Sequence, residues 1–385
     1  MRALAEYSTA MRNACPLVLS VVAFGSALIM GCASPPYNRT PPENEAEVLS
    51  DVVQLTRGFD RAGEAYFSKD MRWIIFQATP KGEQQYQMHV AKVTWEAGKI
   101  VGTGEAVRVS PENSRNTCGF FSPDGASVIF ASTAGKEVPD EPTSGYQRGT
   151  GNYRWGFPKG MEIFRADGWE PAVEAAMRQG HGERPMVDLA KHPITSNDAY
   201  DAECAYSPDG KWIIFSSRRS GDMELYVMRP DGGGVVQLTH ENGYDGGPFF
   251  SPDGKRIVWR TDRQKENNLQ VHVADLVFDK DENITGITND RQITTDADGE
   301  VNWGPYWHPD GKHIIYASSK LGHTNYELFL MRDDGTRKTR VTFTPGPDVL
   351  PVFSPDGQWL LWACKRSADG TTQVFAARFK MPRGG

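Results

Sequence analysis

The chain has 385 residues, enough for two average domains or for one large all-β domain. Its 39 Gly, 25 Pro and 11 % aromatic residues favour many short strands joined by tight turns over a helical bundle. A formal charge of −7 without any Lys/Arg block argues against a nucleic-acid partner, and five cysteines without CxxC spacing argue against a zinc module or a disulfide scaffold.

In chain order, the first element is an apolar run from Cys15 to Met30, preceded by Arg12 and ending Leu28-Ile29-Met30-Gly31-Cys32. It is too short to span a membrane comfortably, and its small terminal residues suit a peptidase. The run resembles a bacterial lipoprotein signal. That resemblance implies removal of residues 1–31 and a diacyl group on Cys32, which anchors the mature chain to a membrane. Residues 32–50 are rich in Pro, Asn, Glu and Thr and read as a tether, extending about 50 Å at about 3.1 Å per residue.

From residue 51 to 380 one phrase recurs. Ser-Pro-Asp-Gly stands at 122–125, 207–210, 251–254 and 354–357, with His308-Pro309-Asp310-Gly311 and Ser68-Lys69-Asp70 as variants. An aromatic precedes each anchor (Phe67, Phe121, Tyr206, Phe250, Trp307, Phe353), and a β-type run such as Trp212-Ile213-Ile214-Phe215 follows it. Pro and Asp favour the turn, and Gly takes its φ > 0 position, so each anchor is a hairpin. Third strands such as Glu224–Met228 and Glu327–Met331 follow, then fourth strands ending in Leu-Thr or a similar pair. Four strands per unit and six units predict an all-β, six-bladed β-propeller with four-stranded blades. The last unit has only three strands, while a spare strand, Val52–Thr56, precedes the first. The N-terminal strand is therefore expected to close the ring.

The stretch Asp245-Gly-Gly-Pro-Phe-Phe-Ser-Pro-Asp-Gly254, with Leu225-Tyr-Val-Met228 and Gln237-Leu-Thr239, resembles the propeller repeat of the TolB-like family. The resemblance covers residues 50–380 and implies a periplasmic binding scaffold of the cell envelope. The α/β domain that accompanies the TolB propeller has no counterpart in the sequence before residue 50.

Six residues before each anchor stand Ala62, Asn116, Asp201, Asp245, Asn302 and Asp348, and two residues further on Glu64 and Glu203 add carboxylates. In a propeller this level surrounds one mouth of the channel. Residues 134–160 form an insertion carrying Arg154 and Trp155, expected on the same face, whereas the helix read at 170–179 belongs on the opposite one. The candidate binding residues are thus Glu64, Asp201, Glu203, Asp245, Asp348, Arg154 and Trp155. Carboxylates there could hold a divalent cation, although no cofactor is predicted and the metal is unknown.

No Gly-x-Ser-x-Gly, His-Glu-x-x-His or phosphate-cradling loop occurs, and the eight histidines lack ligand spacing. Cys118, Cys204 and Cys364 read as free buried thiols. The expectation is a non-enzymatic, monomeric scaffold on the periplasmic side of the envelope, attached to the outer membrane. Its partner would be an envelope protein or a peptidoglycan-associated component. The alternative is a propeller lyase or hydrolase acting on a glycan or peptide at an acidic mouth.

Overall fold

The recurring phrase builds one turn throughout. Ser68, Ser122, Ser207, Ser251 and Ser354 each donate their hydroxyl to the Asp two residues on, at 2.5–2.7 Å. Each also accepts the N–H five residues on, at 2.9–3.0 Å. The serine thereby ties the end of the first strand to the start of the second. His308 keeps the turn by accepting the Asp310 N–H on Nδ1 at 3.2 Å. The turn glycine has φ 67–73° in five repeats, and Met71 takes φ 58° in the first.

The computed structural model describes residues 42–136, 156–179, 184–295 and 299–382, with backbone alone at 145–146 and 153–154. The expected signal segment, Cys32, Trp155 and the Arg154 side chain lie outside the described residues. Six antiparallel sheets are arranged around one axis. Their innermost strands are Phe59–Phe67, Asn116–Phe121, Asp201–Tyr206, Asp245–Phe250, Asn302–Trp307 and Asp348–Phe353. Blades three, four and five are four-stranded and built from consecutive strands. In blade six the order runs from Asp348–Phe353 through Trp359–Cys364 and Gln373–Phe379 to the N-terminal strand Leu49–Gln54. Ring closure is therefore as expected, with the closing strand beginning three residues earlier. Blade two departs from four full strands. Its fourth position is a loop that bridges only at Phe164 and Pro193, although Ile194 N–H still reaches the Ile163 carbonyl at 2.8 Å.

The Leu-Thr endings also have a physical cause. The hydroxyls of Thr56, Ser110, Thr195, Thr239, Thr294 and Thr342 each accept a third-strand N–H at 2.8–3.1 Å. In five blades the hydroxyl is also seen to donate to a Gln or Glu that opens the third strand, at 2.6–2.8 Å. Each hydroxyl closes a strand end that a purely apolar residue would leave unpaired.

Every innermost strand carries a bulge. At its centre, four residues before the anchor, stands a left-handed residue: Glu64 (φ 48°), Cys118 (54°), Glu203 (55°), Gly247 (58°), Gly304 (58°) and Leu350 (54°). A bulge re-aims side chains that simple alternation would place elsewhere.

The helix Trp169–Gln179 lies on the anchor-turn face of blades one and two, as expected. Trp169 packs edge-on to Trp73 at 5.4 Å, and Glu174 pairs with Lys92 at 2.7 Å. Among the described residues no helix is long and apolar enough to cross a membrane, which leaves β-barrels aside.

Candidate functional site

The starts of the innermost strands surround an open cavity of about 950 Å³ on the axis, lined by all six blades. Aromatic walls come from Tyr86, Phe157, Tyr200, Trp303 and Tyr326, and charged groups from Asp60, Arg61, Arg115 and Lys365. The cavity is blind. Two residues before the anchors, Tyr66, Phe120, Phe249 and Tyr306 meet around the axis, with ring centroids 4.9–6.3 Å apart. They plug the channel, leaving a void of only about 20 Å³ beside them. A funnel with a floor results, not a tunnel.

The floor is the left-handed level. Glu203 accepts hydrogen bonds from the Tyr244 hydroxyl at 2.8 and 2.9 Å, the Gly247 N–H at 2.5 Å and the Ser216 hydroxyl at 3.1 Å. It also pairs with Arg260 at 3.1 Å, both side chains being less than a tenth exposed. Burial works against the Arg260 charge, but Tyr244, Glu203 and Glu64 hold its pKa above the ordinary value. Glycine at 247 is required twice over: its φ is positive, and a Cβ would lie 1.8 Å from Arg260 Nη1.

Glu64 is held differently. Its nearest donors are the Cys118 thiol and the Tyr66 hydroxyl, the latter at 3.4 Å. Burial raises its pKa above the usual carboxylate range; the Cys118 hydrogen bond opposes this, the Glu203 charge adds to it, and Arg260 and Tyr66 offset it in part. The sequence treats Glu64 and Glu203 alike, whereas the structure makes Glu203 an anchored ion-pair member and Glu64 the titratable group of the floor. Cys118 and Cys204 are both buried free thiols, as is Cys364. Burial drives the Cys118 pKa well up, so it stays a thiol and not a nucleophilic thiolate.

The three aspartates six residues before the anchors do not project into the funnel. Asp201, Asp245 and Asp348 are at most 1 % exposed and turn into their own blades. Each pairs at 2.9 Å with the arginine eighteen residues on: Arg219, Arg263 and Arg366. In blades four and six an indole also donates to the aspartate at 2.9 Å, from Trp259 and Trp362. The recurring Asp/Arg spacing of eighteen is the signal that marks them in the sequence. Of the insertion in blade two, Phe157 returns over the funnel and packs on Tyr200 at 5.2 Å. Arg154 beyond its backbone, and Trp155, lie outside the described residues, so Glu64 and Glu203 are the predicted residues seen to converge. Among the described residues no group of three His, Cys, Asp or Glu could hold a metal ion.

Comparison with known proteins agrees with this architecture. Residues 175–301 match the family model described as the TolB beta propeller domain. A TolB homolog from Chlorobium luteolum is 32 % identical over 167 residues, 43 % of this chain and 34 % of its own. The chain thus spans about a third of the length of that relative. A solved TolB from Acinetobacter baumannii is 17 % identical with a TM-score of 0.45, covering 85 % of this chain and 66 % of that one. The β-propeller domain of Myceliophteria thermophila Cps50 (Swd1), 8 % identical, has a TM-score of 0.51 over 86 % of this chain and all of its own, a likeness of fold alone. By its repeat, its six closed blades and the match over residues 175–301, the chain carries a TolB-like β-propeller.

Proposed function

We propose that the chain is a non-enzymatic binding protein of the bacterial cell envelope, and that its ligand, a segment of an envelope protein or a cell-wall component, enters the central funnel. The observation that carries this reading is the blind, aromatic-walled cavity with an ion-paired floor. Aromatic walls supply apolar contact at small entropic cost, while fixed charges below them orient the guest. A buried thiol held protonated and a carboxylate saturated with hydrogen bonds suit recognition better than bond-breaking. The lipid on Cys32 and the tether that follows would hold the propeller at the membrane surface, on the periplasmic side and most plainly at the outer membrane.

The test places a photo-crosslinking amino acid at Tyr86 or Tyr326 in living cells, with Val277 on the outer side of blade four as control. The reading expects one envelope component to be captured from the wall positions and not from Val277. Capture from the helix Trp169–Gln179 alone would overturn it. A clickable fatty acid should label the wild type and not Cys32→Ser; labelling of that variant would remove the anchor.

A further inference from the structure

The third strand of every blade opens on Gln87, Glu162, Glu224, Gln270, Glu327 or Gln373. Across five of the six seams to the next blade, these side chains meet the residue six before the anchor, and the two are matched in kind; at the closing seam Ala62 takes that place and Gln373 donates to the Phe59 carbonyl instead. Gln87 accepts from Asn116 and Gln270 from Asn302, each at 2.9 Å. Glutamates instead stand opposite aspartates: Glu162 and Asp201, Glu224 and Asp245, Glu327 and Asp348. An amide pair supplies its own donors. An acid pair has only acceptors and needs a cation, a bridging donor or a proton.

Two of the three acid seams carry both other devices or one of them. Glu162 pairs with Lys136 at 2.8 Å, and Asn197 bridges it to Asp201 with its N–H at 2.8 Å and its side-chain amide at 2.6 Å. Glu327 pairs with Arg340 at 2.7 Å. Glu224 has neither. It is 4 % exposed, its side-chain partners are the Thr239 hydroxyl and Asp245 itself, and its Oε2 has no donor. Asp222, the other charged group beside it, is a further anion. On the far side, Asp245 is held by Arg263 and Trp259, and behind Arg263 lie Asp290 at 2.6 Å and His272, bonded to Asp290 at 2.8 Å.

We propose that Glu224 holds a proton facing Asp245 across the seam between blades three and four, and that this proton makes the seam a pH-sensitive joint. Asp245 directly follows Tyr244, whose hydroxyl holds Glu203 on the funnel floor, so the joint abuts the binding cavity. Burial, then the Asp245 and Asp222 charges, raise the Glu224 pKa to about 7, with the Thr239 hydroxyl opposing them. Because the folded value lies above the unfolded one, the stabilisation is complete below the ordinary carboxylate range and is lost as pH rises through about 7.

The Trp259 indole reports on the joint, since it donates to Asp245, and the Trp362 indole, donating to Asp348, is an internal control. In nitrogen-15 NMR of the tryptophan-labelled protein, the Trp259 Nε1–H resonance should titrate with a midpoint near 7 that Glu224→Gln abolishes, whereas the Trp362 signal, which follows Asp348, should be the same in both proteins. Glu224→Gln supplies the donor found in the amide seams, so it should leave Trp259 flat and remove this group's share of the fall in melting temperature between the ordinary carboxylate range and about pH 7. A wild-type Trp259 signal that stays constant from about pH 5.5 to about pH 8.5 overturns the proposal. So does a titration that survives in Glu224→Gln. The wild-type measurement stands alone if that variant fails to fold.

Discussion

Trp95 of blade one stands edge-on to Trp359 of blade six, ring centroids 5.7 Å apart and planes at 87°. The contact carries a hairpin, Gln87–Glu96 with Lys99–Thr103, over the strand that closes the ring. Lys99 pairs with Asp51 at 2.7 Å, the Thr103 hydroxyl reaches the Leu55 carbonyl at 2.8 Å, and Arg378 donates to the Gly98 carbonyl at 2.9 Å. Closure is thus latched from blade one as well as paired within blade six. A chain beginning at Arg57 should lose the strand pairing and the Lys99 and Thr103 contacts of the latch, exposing the edge Gln373–Phe379. Its melting temperature should fall by several degrees and its aggregation rise, read by calorimetry and light scattering; an unchanged melt would refute the latch.

Arg219→Ala should cost about 3–5 kcal/mol in urea unfolding, because it leaves the fully buried Asp201 without its cation. Adding Asp201→Asn should recover much of the loss. The same pair of variants at Arg366 and Asp348 should shift stability in the same directions, since the buried Asp–Arg contact is again 2.9 Å.

Gly247 and Gly304 share φ 58° but not their surroundings. At Gly304 a Cβ would meet nothing closer than 3.7 Å, so Gly304→Ala should cost about 1 kcal/mol, the price of the left-handed backbone. At Gly247 the methyl would collide with Arg260, and the cost should be at least twice as large. Thermal melts of the two variants make the comparison; equal losses would show that Arg260 can move aside freely.

Glu203→Gln should destabilise by about 3 kcal/mol, because Arg260 is left buried without its anion. Glu64→Gln should be neutral or stabilising at neutral pH. Its raised pKa means that the wild type loses stability as pH rises through that value, and the amide does not. Stability profiles across pH separate the two: Glu64→Gln should flatten part of the decline that sets in above the ordinary carboxylate range, and a profile unchanged from wild type would place Glu64 in ordinary solvent.

The sequence exposes whatever repeats with a conformational cause. The anchor turns show because Pro, Asp and Gly are each required there, and the closing strand shows because Leu55-Thr56 matches other fourth-strand endings. Its start at Leu49 does not show, since pairing with Phe379 depends on a partner 330 residues away. The direction of Asp201, Asp245 and Asp348 is hidden for a different reason. Strand alternation puts them on one face with Glu64 and Glu203, and a bulge between those levels is a property of backbone hydrogen bonding, invisible in residue types. The matching of Gln with Asn and Glu with Asp across seams was present in the letters, but emerges only once the blades are set side by side.

The left-handed level at the funnel floor has a consequence for how such proteins diversify. Glu64, Cys118, Glu203, Gly247, Gly304 and Leu350 occupy the same backbone conformation with two acids, a thiol, an aliphatic group and two bare glycines. The strain of that conformation is already carried by four of the six, so exchanging one side chain for another there asks little more of the scaffold. The propeller thereby separates what must be kept from what can be rewritten. Six neighbouring positions can be respecified one at a time for a new guest, provided that a replacement respects the space of its neighbours, as the crowding of Gly247 by Arg260 shows.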